Sequence, residues 1–91
     1  TTLSYDLVGR TDIVLEVAAY MCKGQGKVVI REAVDRSGEV DKAEIDANAS
    51  TTTDECMVGN ALSSASAARF SRYSSASQPQ RGTITYIFLA Q

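Results

Sequence analysis

Serine is the residue type in this chain best placed by abundance to do chemistry: Ser63, Ser64, Ser66, Ser71, Ser74, Ser75 and Ser77 fall within one short stretch. A serine hydroxyl is a weak nucleophile until a neighbouring base takes its proton, and that base is most often histidine. The chain has no histidine, and Lys23, Lys27 and Lys42 stand in no motif with a serine. The serines therefore read as helix exterior and loop. Asp41, Glu44 and Asp46 are close enough in sequence for acid–base work or calcium binding. No calcium-loop pattern surrounds them, and they read as the solvated face of a strand. Asp54-Glu55 suits a first helical turn, where negative charge meets the positive end of the helix dipole. Gly24-Gln25-Gly26 precedes a strand, whereas a phosphate-cradling loop follows a strand and opens a helix. Arg69, Phe70 and Tyr73 group as interface residues do, but Phe70 reads more simply as a core residue placed where a helix stops. No catalytic, cofactor-binding or metal-binding residue is expected, and the chain is expected not to be an enzyme.

The two cysteines, Cys22 and Cys56, fit no zinc spacing and have no histidine to complete a site. They are compatible with one disulfide in an oxidising compartment or with two buried thiols. The 91 residues make one small domain, 44% hydrophobic and 22% charged, with a net charge of −2. Arg69, Arg72 and Arg81 are too few and too spread to make the basic stripe of a nucleic-acid binder, so no nucleic-acid partner is expected. No run of apolar residues is long enough to span a membrane. Thr1 is not followed by a charged and then an apolar leader region; any anchor or export signal is expected upstream.

The elements that must position these residues follow from periodicity. Leu3, Tyr5 and Leu7 alternate with polar residues, which predicts a strand over 3–8. Residues 13–20 are ambiguous: the β-branched content favours extended chain, while Leu15, Ala18 and Ala19 could share one face of a helical turn. A strand is predicted over 27–35, with Val28, Ile30, Val34 and, oddly, Glu32 on one face. Asp35-Arg36-Ser37-Gly38 has hairpin chemistry, Asp bonding forward to the backbone and Gly supplying a positive φ. The return strand is expected over 39–46, with a bulge because Val40 is out of phase with Ala43 and Ile45. Thr52 and Glu55 match a capping box. Val58, Ala61, Leu62, Ala65 and Ala68 then recur at helical spacing to about Arg69 or Phe70. Residues 71–82 read as loop, and 83–89 as a strand with Ile84, Tyr86 and Phe88 on one face. The expected fold is α+β: a small antiparallel sheet of three or four strands with one helix across one face.

In order and spacing these pieces resemble the C-terminal domain of TonB-type energy transducers. Gly26-Lys27-Val28-Val29-Ile30, Val34 to Val40 and Lys42-Ala43-Glu44-Ile45 are similar to that family's central hairpin. Thr51-Thr52-Thr53-Asp54, Ala61-Leu62, Ala65 and Ala68-Arg69-Phe70 continue the likeness, and Gly82-Thr83-Ile84-Thr85-Tyr86 with Phe88 closes it. Ser4 to Arg10 resembles a strand preceding the domain in one branch of the family. Glu32 stands where an apolar residue is usual. The resemblance implies a domain over 23–91, with 1–22 as a strand and extended linker packed on it. It implies a periplasmic location, an inner-membrane anchor upstream, and no cofactor. Its expected partners are a peptide segment of an outer-membrane TonB-dependent transporter and, through the upstream part, inner-membrane motor proteins; a homodimer is also compatible. An oxidising periplasm implies a Cys22–Cys56 disulfide tying the start of the hairpin to the first helical turn. The partner peptide is expected to pair with an open edge on the final strand: Thr83, Ile84, Thr85, Tyr86, Ile87, Phe88 and Leu89. An alternative role is a peptide-binding sensor or adaptor domain of a membrane-anchored regulator or peptidase. The partner-binding role requires no catalytic chemistry.

Overall fold

The structure is a computed structural model that describes residues 1–17 and 19–90. Its centre is an antiparallel pair of nine-residue strands, β3 (Gly26–Val34) and β6 (Gln80–Phe88). Their register sets Val28 opposite Tyr86 and Ile30 opposite Ile84. With period-two alternation these residues share one face with Val34 and Phe88, and all are buried. β4 (Val40–Ile45) pairs with the other side of β3, and β1 (Thr2–Asp6) with the other side of β6, so the strand order is β1-β6-β3-β4. The expected bulge is present: Ala33 pairs with Lys42 but Val34 pairs with Val40. A second, two-stranded sheet joins β2 (Asp12–Val14) to β5 (Arg69–Phe70). The expected α+β architecture is thus the observed one.

The hairpin between β3 and β4 closes as its chemistry predicts. Asp35 Oδ1 accepts hydrogen bonds from Ser37 Oγ, Gly38 N and Glu39 N, and these bonds hold its carboxyl below the usual carboxylate range. Gly38 has a φ of +101°, and a Cβ there would also collide with the carbonyl of Phe70. Only glycine meets both demands.

The helix α1 (Glu55–Ala67) differs from expectation at both ends. Its cap is Asp54, which accepts from Met57 N at 3.0 Å, while Thr52 instead accepts from Asp54 N. Capping by Asp54 turns Met57 into the core. The helix stops at Ala67 because Phe70 is required elsewhere. Phe70 N donates to Gly38 O at 2.9 Å, its ring is buried, and Arg69 reaches Glu39 at 2.7 Å. Ala61, Ala65 and Ala68 are buried, with Val58 and Leu62 partly so. These small residues let the helix approach a sheet whose bulk comes from Tyr86, Phe88, Ile30 and Ile84. Of residues 13–20, Ile13 and Val14 belong to the short β2, which begins at Asp12; Tyr20 stacks on Phe88 with centroids 4.9 Å apart. The helical-turn reading there includes Ala18, which lies outside the described residues.

Cys22 and Cys56 form a disulfide, with Cα atoms 5.8 Å apart and a separation of 34 positions in sequence. It joins the segment entering β3 to the first turn of α1. Replacing both cysteines by serine is expected to lower stability by about 4 kcal/mol in the chain-entropy account of loop closure. Urea unfolding with and without reductant measures this; the same midpoint in both conditions contradicts it.

A carboxyl on the apolar face of a strand is expected to reach solvent or a basic partner, and Glu32 does neither. It is 3% exposed, and neither carboxyl oxygen has a hydrogen-bond partner among the described residues. The reason is alternation. Glu32 faces the core opposite Gly82 and Ala43, whereas Lys27 and Arg81 sit at odd register positions on the other face. Arg10 is itself buried but engages Gln80 Oε1 and Ser71 O. Burial pushes the Glu32 carboxyl up to about 7, so below that pH it sits in the core mostly neutral. A raised folded-state pKa means that this contribution to stability is complete below the unfolded value of 4.5 and is lost as pH rises through about 7. The loss should approach about 3 kcal/mol. Glu32→Gln should flatten the profile between pH 5 and 8. Denaturant midpoints across that range test this, and a parent profile that is already flat contradicts it.

Candidate partner-binding surface

The final strand divides as its alternation requires. Ile84, Tyr86 and Phe88 point into the core, Thr83, Thr85 and Ile87 lie on the opposite face, and Leu89 is exposed beyond the strand's end. Its edge, however, is not open, which corrects the sequence expectation. β3 pairs with one side of β6, and on the other side β1 pairs from Thr2 opposite Ile87 to Asp6 opposite Thr83. Three features hold β1 there. Leu3 and Tyr5 pack against the core, and the Tyr5 ring meets Phe70 edge-on at 5.2 Å. The Tyr5 hydroxyl donates to Asp12 Oδ1 and accepts from Asp12 N, each at 3.0 Å. Gly82 leaves the space that a Cβ would need: such an atom would lie 2.5 Å from Asp6 O and 2.6 Å from Leu7 Cδ1. Tyr5, Asp12 and Gly82 were the sequence signals for this closure, but they are legible only once the register of β1 on β6 is known.

The sheet's two outer edges are therefore β1 and β4. β4 is bulged and carries the exposed charges of Asp41, Lys42 and Glu44, both features that discourage strand addition. β1 has neither. Among the described residues, the main chain of Thr2–Asp6 makes no hydrogen bond to an element other than β6. Beside it lies an open groove of about 710 Å³ lined by Leu3, Glu16, Val17, Tyr20 and Met21. Met21 is 86% exposed. An unpaired strand edge next to apolar side chains has the composition that receives an extended peptide: main-chain groups for affinity and pockets for alternate side chains.

The other candidate groups find structural roles. Ser64 is buried, contrary to the exterior position expected for it, and its Oγ accepts from the Tyr86 hydroxyl at 2.8 Å. Burial pushes the Tyr86 hydroxyl up to about 12, its bond to Ser64 opposing the shift and the nearby Glu32 adding to it. A hydroxyl so reluctant to ionise is no base for Ser64, and the pair serves to satisfy two buried polar groups. Ser63 and Ser66 are exposed on the helix exterior. Ser71 Oγ accepts from Thr11 N. Glu44 pairs loosely with Arg31 at 3.8 Å. Asp46 accepts from the backbone of Ala49. No group of three potential metal ligands occurs among the described residues. Gly24, with a φ of +83°, offers its carbonyl to the Tyr20 hydroxyl at 2.9 Å, which makes the Gly24-Gln25-Gly26 turn a packing device. No family model, curated protein or solved structure matches the chain.

Proposed function

We propose that this chain is a protein-binding module of the TonB C-terminal kind. It takes an extended segment of an outer-membrane transporter along the β1 side of its sheet. Carried from the inner membrane on an upstream stalk in the periplasm, it passes on force for nutrient uptake and performs no chemistry of its own. The observation that carries this reading is the outer edge of Thr2–Asp6, unbonded to any further element among the described residues and bordered by the groove at Leu3, Val17 and Tyr20. The likeness of the hairpin, helix and final strand to that family supports it. The disulfide suits an oxidising compartment.

A second route to the same partner is exchange, favoured by the shortness of β1. Its register covers only Thr83 to Ile87 of the nine-residue β6. A longer incoming strand could form more main-chain bonds with β6 than β1 does.

An amide-shift titration with a synthetic peptide from a transporter's periplasmic extension tests both. Shifts at 2–6, Val17 and Tyr20 support addition to β1. Loss of the β1–β6 cross-strand contacts with new ones at 83–87 supports exchange. Shifts confined to the helix exterior around Ser63 and Ser66 overturn the reading. Alternate residues of an edge strand point their N–H groups toward and away from the neighbour. Of Leu3→Pro and Ser4→Pro, therefore, one removes an outward donor and should weaken peptide binding about tenfold with the circular dichroism unchanged. Thr85→Pro is expected to damage the fold itself, by about 3 kcal/mol or more, because β6 is bonded on both sides.

A further inference from the structure

The face of the sheet turned away from α1 is not uniformly polar. The alternation that sends Val28, Ile30, Val34, Ile84 and Tyr86 inward sends Arg31 and Ala33 of β3, Arg81 and Thr83 of β6, and Lys42 and Glu44 of β4 outward. The register aligns them in two rows. Arg31 lies between Thr83 and Glu44, and Ala33 lies between Arg81 and Lys42. A short side chain flanked by two long ones leaves a hollow, and a depression of about 420 Å³ opens there. Ala33 is buried at its floor.

Three cations converge on this hollow in a chain whose acidic residues outnumber its basic ones, 11 to 9. Elsewhere the arginines are engaged or apart: Arg10 is buried against Gln80 and Ser71, and Arg69 is paired with Glu39. Here the cations are poorly compensated. The Arg31–Glu44 pair is long and exposed, and such pairs contribute little. Arg81 and Lys42 make no ion pair or side-chain hydrogen bond among the described residues. Like charges gathered on a rigid sheet repel one another at a cost that an anion would relieve.

We propose that this hollow is a docking site for a short acidic segment of a partner protein. Guanidinium groups receive carboxylates in paired hydrogen bonds, and Lys42 adds a point charge. The three strands span about 10 Å across the hollow, room for two or three carboxylates on one extended peptide. A long polyanion is disfavoured by the net charge of −2 and by Glu44 at the rim. The site lies on the sheet's broad face, so it goes beyond strand addition at β1 and stands or falls separately from it.

The test is an amide-shift titration of the full, oxidised chain with the blocked peptide acetyl-Asp-Glu-Ser-Asp-Glu-Ser-amide, its Asn/Gln counterpart, and inorganic phosphate. The acidic peptide should shift 31–33, 42–44 and 81–83, with an affinity falling about fivefold or more between about 20 and 150 mM salt. Arg81→Gln and Lys42→Gln should each weaken it about threefold, and Arg69→Gln should leave it unchanged. Glu44→Gln removes the local anion and releases Arg31; it should tighten binding about twofold, a gain that damage to the fold cannot mimic. Equal binding of the uncharged peptide overturns the proposal. So do shifts spread over Arg69 and Arg72, absence of shifts at about 10 mM peptide, or phosphate binding as tightly as the peptide, which would mark a small-anion site.

Discussion

The pairing of β3 with β6 places every other element of this domain. Each strand has nine residues, and each sends alternate apolar side chains to the same face, so one continuous patch of Val28, Ile30, Val34, Ile84, Tyr86 and Phe88 demands a cover. The helix supplies it with alanines, which bring backbone close to sheet without competing for volume. Apolar burial is the main favourable contribution to folding, and a domain this small has little surplus. That explains why a disulfide joins the helix to the segment entering β3. It also makes Glu32 notable: a carboxyl occupies the central strand's core face and is tolerated there in its neutral form.

The hairpin turn is the second organising point, because it bonds to far more than its own strands. Gly38 O receives Phe70 N, Arg36 O receives Tyr73 N, and Arg36 Nε donates to Ala76 O at 2.8 Å. The chain leaving the helix is thereby threaded against the turn, which satisfies backbone groups that a free loop would leave to water. Breaking the helix after Ala67 frees Phe70 for the core and Arg69 for β2. The short second sheet is a consequence of that docking rather than of any strand propensity in Arg69-Phe70.

The same alternation that builds the core builds the outer face. Residues one position out of phase with the apolar set include Arg31, Arg81 and Lys42, and the small Ala33 among them makes their arrangement concave. Two surfaces of different chemistry result: an edge at β1, where main-chain groups are unspent, and a cationic hollow on the broad face. They lie at different places on the sheet, one along the outer edge of β1 and the other on the broad face across β4, β3 and β6.

Local rules in the amino-acid sequence determined the elements: the two long strands from period-two alternation, the hairpin from Asp35 and Gly38, the bulge from the phase slip at Val40, and the apolar helix face from Ala61 and Ala65. They also excluded nucleophilic chemistry of the histidine-assisted kind, since no such base exists in the chain. Tertiary structure alone decided what depends on distant neighbours. Leu3 and Tyr5 read as a strand, but nothing local says that β6 is the strand it pairs with; Gly82, far away in sequence, leaves the space for that pairing, and Asp12 pins Tyr5 in it. The capping box at Thr52 is sound local chemistry, overruled because Asp54 orients Met57 inward. The helix pattern runs through Ala68 toward Phe70, yet the Gly38 carbonyl takes Phe70 N. The cationic hollow is invisible in sequence because Arg31, Lys42 and Arg81 meet only through the register of three strands. Periodicity reports which face a residue takes, and only pairing reports whom it faces.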